Sequence, residues 1–341
     1  APAPSVSGMR AWAWWRGPSA RVTDPGAGAG RFTVAAGRAL PRAELVAVET
    51  DPMAALLARA HIATAGLASR ASVRLDDYRT LSLPALDKGR TLFVGNPPYV
   101  RHHLLGPKWK AWMTATARSH GLTASQLAGL HVHFFLATLE HARPGDLGVF
   151  VTASEWLDVN YGQVVRDLLL GGLGGRSIHI VDPKAMPFPD AITTAAITCF
   201  EVASKPTSIY MRSVESVKEL ASLDGGHPVR RDRLAIAPRW SVFTKPAVDA
   251  HEGFVELGEL CRVHRGQVTG ANDVWIAGEH ATDLPSAVLF PTVTKARELF
   301  GAGSELSDAA ALRCVVDLPP DLDVFDSAER KLVEKFLRFA R

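Results

Sequence analysis

The residues best equipped for chemistry are Asn96-Pro97-Pro98-Tyr99, directly after the apolar run "TLFVG". The Asn96 side-chain oxygen and the Pro97 carbonyl are both acceptors, and together they can take two hydrogen bonds from one exocyclic NH2 group. Such a grip pulls the nitrogen lone pair out of conjugation and aims it at an electrophile. The two prolines fix φ and hold the backbone rigid, while Tyr99 offers a face on which the ring bearing the amine can stack. No proton has to leave before attack, so the chemistry is mostly positioning. The plainer alternative is a strand terminator with an incidental tyrosine, because proline lacks the N–H a sheet needs.

A second constellation lies upstream, in Asp24-Pro25-Gly26-Ala27-Gly28-Ala29-Gly30. Glycines at 26, 28 and 30 permit a tight turn and close approach of backbone to ligand. A strand, a glycine turn and a helix start form a nucleotide-type site at the C-terminal edge of a parallel sheet. The next strand candidate ends in Glu49, 21 residues after Gly28, close to the spacing of about 20 for an acid on ribose hydroxyls. No Lys-Ser or Lys-Thr follows the loop, which excludes a phosphate cradle of the GxxxxGK[ST] kind. Arg31, Phe32 and Thr33 stand where a dinucleotide GxGxxG would carry its third glycine. Asp24, ahead of the glycines, would repel a pyrophosphate but could bind a cationic amine. That favours a cofactor with an amino-acid end, S-adenosylmethionine, whose sulfonium methyl is an electrophile for a gripped amine. The third strand candidate ends in Asp76-Asp77-Tyr78. One carboxylate there could accept from an adenine amino group while the tyrosine covers the ring. The alternatives are a glycine turn without a ligand and an exposed acidic turn.

The elements that must position these groups alternate in the manner of an α/β domain. Strand candidates are "ARVTDP" (20–25), "ELVAVET" (44–50), "SVRLDDY" (72–78), "TLFVGN" (91–96), "LGVFVTAS" (147–154), "SIHIVD" (177–182) and "AAITCFEVA" (195–203). Helical stretches such as "PMAALLARAHIATAG" and "QLAGLHVHFFLATLEHA" separate them, the mark of a parallel sheet with helices packed against it. The expectation is a Rossmann-like seven-stranded sheet. The rhythm breaks near residue 205, and "LDGGHPVRRDRLAIAPRW" reads as a connection between domains. The expected division is 1–240, the catalytic domain, and 241–341, a smaller β-rich recognition domain with a final helix, possessing no internal repeat.

Composition narrows the classes. Of 341 residues, 47% are apolar and 21% charged, an ordinary globular balance with ample core-forming material. The net charge of +3 means that any basic surface must be local. Cys199, Cys261 and Cys314 form no CxxC pair, which suits a reducing cytoplasm. No apolar run approaches the ~20 residues of a membrane span, and the opening "APAPSVSGMRAWAWW" lacks the charged leader and long apolar core of a signal peptide. The chain begins without Met and ends on "KFLRFAR", consistent with a piece of a longer protein. His131 and His133, two apart on a helix, do not share a face, and no cysteine or acid completes a metal set. Cytosine C5 methylation needs a cysteine nucleophile, and none stands near the expected site.

Taken together, Asp24-Pro25-Gly26-Ala27-Gly28-Ala29-Gly30, Val48-Glu49-Thr50-Asp51-Pro52, Asp77-Tyr78 and Asn96-Pro97-Pro98-Tyr99 resemble the motifs of adenine-N6 DNA methyltransferases. The order, cofactor motif before NPPY, is similar to the gamma class, of which the TaqI type is an example. The resemblance implies a class I S-adenosylmethionine-dependent methyltransferase fold with a C-terminal target-recognition domain. It implies that the glycine loop and Glu49 bind S-adenosylmethionine, that Asp77 and Tyr78 contact its adenine, and that NPPY holds a flipped target adenine. It also extends to "AMPFPDAITTAAI" (185–197), where Phe188 is the candidate for stacking on the base's other face, and to "ELCRVHRGQVTGANDVW" (259–275). In one departure, the helix expected before the cofactor loop is represented only by the short segment around "VSGMRAWAWW".

After Tyr99 no acidic residue occurs between Arg101 and Leu139, while Arg101, Lys108, Lys110 and Arg118 are positive and Trp109 and Trp112 interleave. This pattern suits phosphate contacts and wedging during base flipping. A solvated face over a core helix with two buried tryptophans is the alternative. Arg262 and Arg265 are further candidates for DNA contact, or else ordinary surface charges. The expected partners are double-stranded DNA and a cognate restriction or defence subunit, in a bacterial, nucleoid-associated cytoplasmic setting. A protein-glutamine or RNA methyltransferase sharing NPPY, and a non-catalytic DNA-binding specificity subunit, remain as other readings.

Overall fold

The computed structural model describes residues 17, 19–182, 185, 194–223, 225–245, 269–302, 306, 309 and 311–340. The chain divides into two compact units, 1–249 and 250–341.

The first unit is built on one sheet. Its strands are β1 (Arg21–Pro25), β2 (Glu44–Glu49), β3 (Ala71–Leu75), β4 (Thr91–Gly95), β5 (Leu147–Ala153), β6 (Gly175–Val181), β7 (Ala195–Glu201), β8 (Ser208–Val214) and β9 (His227–Arg230). They lie in the order β3-β2-β1-β4-β5-β7-β6-β8-β9. β1, β4 and β5 are buried along their whole length, as central strands covered on both faces must be. The period of two divides their side chains between two cores. Leu45, Ala47, Leu92, Val94, Val149 and Val151 face one side. Val46, Val48, Phe93 and Phe150 face the other. Helices α1 (Arg31–Ala39) and α2 (Pro52–Thr64) contribute Phe32, Val34 and Ile62 to the first core. Helices α3 (Pro107–Ser119), α4 (Leu130–His141) and α5 (Gln163–Leu170) contribute Met113, Phe135 and Leu168 to the second. The start of α2 follows from its sequence: Pro52 stands in the first turn and the Asp51 carboxylate accepts from the Met53 and Ala54 amides at 2.8 and 3.2 Å.

β1 pairs in parallel with β2 on one side and β4 on the other. The strand order therefore reverses at β1, and the crevice at the C-terminal ends of β1 and β4 is the switch point where open α/β sheets take ligands. The glycine loop leaves β1 and Asn96 leaves β4, so both constellations open onto this edge.

Two features differ from the expected sheet. Pairing is mixed, because β7 runs antiparallel to β5 and β6. The sheet also has nine strands instead of seven. β8 pairs in parallel with β6, and β9 antiparallel with β8. β8, "SIYMRSV", buries only Ile209, Met211 and Val214, and this half-polar alternation lacks the buried run that marks β6. The stretch expected as an interdomain connection holds β9, helix α6 (Arg231–Ile236) and the fully buried Trp240, whose indole N–H donates to the Leu234 carbonyl at 3.0 Å. It belongs to the first unit.

The second unit contains the antiparallel pair β10 (Leu289–Thr292) and β11 (Arg313–Val316) with helices α7 (Asn272–Trp275), α8 (Ala296–Ala302) and α9 (Ser327–Phe339). Val288, Val316, Val333 and Phe336 are in its core. α9 opens on a capping box in which Asp326 and Glu329 cap each other's backbone. Among the described residues, no helix is long and apolar enough to cross a membrane.

Candidate active site

Gly26, Gly28 and Gly30 all adopt positive φ, at 68°, 53° and 74°, which explains the three glycines. A Cβ on Gly26 would stand 3.1 Å from Pro98 Cδ and 3.3 Å from Phe134 Cε1. The first glycine therefore lets the loop touch the proline pair and helix α4 directly. A Cβ on Gly28 would meet nothing within 4 Å, so the middle of the loop borders open space. Glu49 braces that middle: one carboxylate oxygen accepts the Gly28 N–H at 2.8 Å, and the other accepts from the amides of Thr50 and Asp51 at 2.8 and 3.0 Å.

Asp24 departs from its expected role. It is fully buried, and its Oδ2 accepts from the Thr33 amide at 2.9 Å and the Thr33 hydroxyl at 2.6 Å. Its Oδ1 has no hydrogen-bond partner among the described residues; a Cβ on Gly95 would lie 2.9 Å from that oxygen. Burial pushes the Asp24 carboxyl up to about 7, against the Thr33 hydrogen bonds. Through Oδ2 it ties the start of α1 to the end of β1, while Oδ1 keeps its acceptor capacity.

At the end of β3 the expected adenine contacts are both engaged elsewhere. The Asp77 Oδ1 accepts from the Arg79 amide at 3.0 Å and its Nε at 2.9 Å, and Oδ2 accepts from the guanidinium at 2.6 Å. Burial raises the Asp77 carboxyl, but the Arg79 hydrogen bonds and charge outweigh it and hold the group below its ordinary value. The Arg79 guanidinium also lies 3.4 Å from the centre of the Trp109 ring. Tyr78 is a core residue at 1% exposure. Its ring packs on Phe134 with centroids 5.3 Å apart, and its hydroxyl pairs with Thr138 Oγ1 at 2.9 Å. It cannot cover a cofactor ring from that position.

The NPPY segment borders a cavity of ≈ 660 Å³ whose walls include Asn96, Tyr99, Arg101, His131, Glu155 and Tyr161. Pro97 is buried. The Asn96 Oδ1 is buried without a hydrogen-bond partner among the described residues, a state that ordinarily costs free energy and leaves its acceptor capacity unspent. The Tyr99 hydroxyl donates to the Val151 carbonyl at 3.2 Å, which fixes the ring while leaving half of the residue, 50%, exposed for stacking. His131 is 5% exposed, with its ring centroid 6.1 Å from that of Tyr99. Gly129 lacks a side chain where a Cβ would come within 3.2 Å of both the His131 ring and the Val100 carbonyl. Burial depresses the His131 imidazole to about 4 despite the opposing charge of Glu155. The Glu155 Oε2 accepts from the Tyr161 hydroxyl at 2.9 Å. Burial, then this bond and the Glu155 charge, push the Tyr161 phenol up to about 12.

Of the expected DNA contacts, Arg101 is exposed on the cavity wall. Lys108 and Lys110 lie in the first turn of α3, exposed and half-buried respectively. Trp112 packs against the core and stacks on His133, rings 5.8 Å apart and 15° from parallel. This half of the basic stretch is structural. Phe188, Arg262 and Arg265 lie outside the described residues. Among the described residues no His, Cys, Asp and Glu cluster could hold a metal. The sequence patterns did not single out Glu155 or Tyr161, and raised His131 only as a metal ligand with no set to complete it. The usable signal was positional, since the turn after β5 must emerge beside the turn after β4.

No family model matches the chain. It is 50% identical over 340 residues to the type II methyltransferase M.XamI of Xanthomonas campestris pv. amaranthicola, an alignment covering all of this chain and 64% of the relative. It is 23% identical over 134 residues to the type II methyltransferase M.AccI of Acinetobacter calcoaceticus, covering 38% of this chain and 24% of that one. The chain thus spans less than two thirds of either relative. Among solved structures, the type IIG restriction endonuclease BpuSI superposes with a TM-score of 0.59 at 13% identity, over 100% of this chain and 45% of its own. The type I restriction-modification methyltransferase subunit from Streptococcus thermophilus superposes with a TM-score of 0.52 at 14% identity, over 69% of this chain and 50% of its own. With the sheet order and the switch-point crevice described above, the chain has the class I S-adenosylmethionine-dependent methyltransferase fold.

Proposed function

We propose that the chain is the catalytic portion of a DNA methyltransferase of a restriction-modification or related defence system, acting on the N6 amino group of adenine. The observation that carries this reading is the buried, unpartnered Asn96 Oδ1 at the wall of a cavity beside the sheet's switch point. The 50% identity to a type II methyltransferase over the whole chain supports the substrate class.

S-adenosylmethionine, when bound, supplies a methyl group on a positively charged sulfur. The residues present fit it in part: the positive-φ glycines and the open space beside Gly28 leave room for a ligand, and the Glu49 carboxylate faces the loop. Asp77 contributes if Arg79 yields one of its oxygens, and Tyr78 does not contribute. Across the crevice, Asn96 Oδ1 and the Pro97 carbonyl accept the two N–H bonds of the target amine and hold its lone pair toward the cofactor edge. Tyr99 stacks on the purine, and Phe188 is the proposed cover for its other face. In a duplex the adenine amino group is paired and its ring stacked, so for Asn96 to grip the amine and Tyr99 to stack on the ring the base must be turned out of the duplex. Arg101, Lys108 and Lys110 hold the flanking phosphates. The second unit, with Arg262 and Arg265, reads the target sequence.

The test is to incubate the chain with methyl-labelled S-adenosylmethionine and, separately, duplex DNA, RNA and protein acceptors. The expected result is label in DNA, recovered as N6-methyladenine after digestion. Label in RNA or in protein glutamine, or in none of the three, would overturn the proposal.

A further inference from the structure

The proposed transfer leaves one step without a group to perform it. As the amine attacks, an N–C bond forms and the S–C bond breaks with its electron pair left on sulfur. The positive charge passes to the nitrogen, which must then shed a proton to give the neutral methylated amine. Asn96 and the Pro97 carbonyl can accept hydrogen bonds but are too weakly basic to keep that proton.

Among the side chains around the cavity, few can. The Tyr99 and Tyr161 phenols and the Arg101 guanidinium already carry their protons. Glu155 is an exposed residue whose Oε2 accepts from Tyr161. His102 is only partly buried, on the turn after NPPY. His131 combines a place in the cavity wall, burial beside Tyr99, and an Nε2 with no hydrogen-bond partner among the described residues. His133, two residues on, is absent from the cavity wall and stacked on Trp112.

We infer that the His131 imidazole is the proton acceptor of the acceptor site, taking the proton from the amine nitrogen as the N–C bond forms. The inference rests on the proposed amine methylation at Asn96. Depression of its basicity by burial suits the task, since the ring stays unprotonated at neutral pH with its lone pair available. An alkylated aromatic amine cation is far more acidic than even this imidazolium, so the transfer runs downhill. Glu155, whose charge favours the protonated ring, lies exposed at the same cavity and gives the proton a direction toward solvent.

The experiment is single-turnover transfer of labelled methyl to duplex DNA by the full chain, comparing wild type, His131→Phe and His131→Ala. Positioned proton transfer contributes about 10²–10⁴-fold, so both variants should slow at least about tenfold, with DNA and S-adenosylmethionine affinities within about twofold of wild type. Added imidazole should restore the rate of His131→Ala and leave His131→Phe slow. Wild-type rate in either variant would overturn the inference. So would a slow alanine variant that imidazole does not rescue, or a fast phenylalanine variant beside a slow alanine one, which would assign the ring to packing alone. If wild type itself labels no DNA, the methylation reading fails instead, and the two failures are told apart.

Discussion

The Glu49 carboxylate accepts the Gly28 N–H at 2.8 Å across 21 residues of chain, joining the end of β2 to the middle of the glycine loop. Hydrogen bonds to a charged group contribute about 1.5–3 kcal/mol, and each 1.4 kcal/mol is tenfold in affinity. Glu49→Ala should therefore weaken S-adenosylmethionine binding by about tenfold or more in a calorimetric titration. An unchanged Kd would remove Glu49 from the cofactor site.

The glycine turn after one buried strand and the acid ending the next were legible as local signals, but the hydrogen bond that joins them was not, since the spacing pointed Glu49 at a ligand and the Gly28 N–H takes one of its oxygens. The place of Asn96 at the end of β4 was legible from the apolar run before it. Asp77 and Tyr78 were not, because what decides their roles is tertiary. Arg79, two residues on, folds back onto Asp77, and Thr138 and Phe134 of α4 claim Tyr78. β1 to β7 were legible as β-branched stretches between helical ones, but β8, inside the sheet, and β9, at its edge, are half-exposed strands whose pattern resembles a polar connection. Trp240, fully buried, was the overlooked sign that its segment closes a core.

The glycines make unequal demands. Gly26 combines φ 68° with contacts that a Cβ would tighten to 3.1 Å on Pro98 and 3.3 Å on Phe134. Gly28 has φ 53° and open space around it. Gly28→Ala should cost about 1 kcal/mol, the left-handed backbone penalty alone. Gly26→Ala should cost roughly 1–3 kcal/mol more and displace NPPY. Equal shifts in urea midpoint for the two variants would contradict the packing described.

Asp24 gives the pH dependence a sign. Its folded carboxyl lies at about 7 against an ordinary 3.8, so between these values the unfolded chain has lost a proton that the folded chain keeps. Its contribution to stability therefore falls as pH rises from about 4 to about 7 and is level above that, with a slope of up to about 1.4 kcal/mol per pH unit. Asp24→Asn removes this titration. Urea unfolding of the first unit should be less pH-dependent in the variant between pH 5 and 7, and parallel curves would show that Asp24 is not buried neutral.

Lys108 and Lys110 stand on the first turn of α3, beside the Arg79–Trp109 stack. Each phosphate contact contributes about 0.9 to the slope of log K against log salt. Replacing both lysines by alanine should weaken duplex binding and lower that slope by up to about 2, with cofactor affinity unchanged. An unaltered salt titration would return this face to ordinary solvent.

In the proposed reaction the buried, unpartnered Asn96 Oδ1 holds the amine that receives the methyl group. Losing one preorganised hydrogen-bonding group in an active site typically costs 10²–10³-fold in rate. Single-turnover transfer to duplex DNA by Asn96→Ala should therefore fall about a hundredfold or more, with the Kd for S-adenosylmethionine within about twofold of wild type. Transfer at the wild-type rate in that variant would contradict the account.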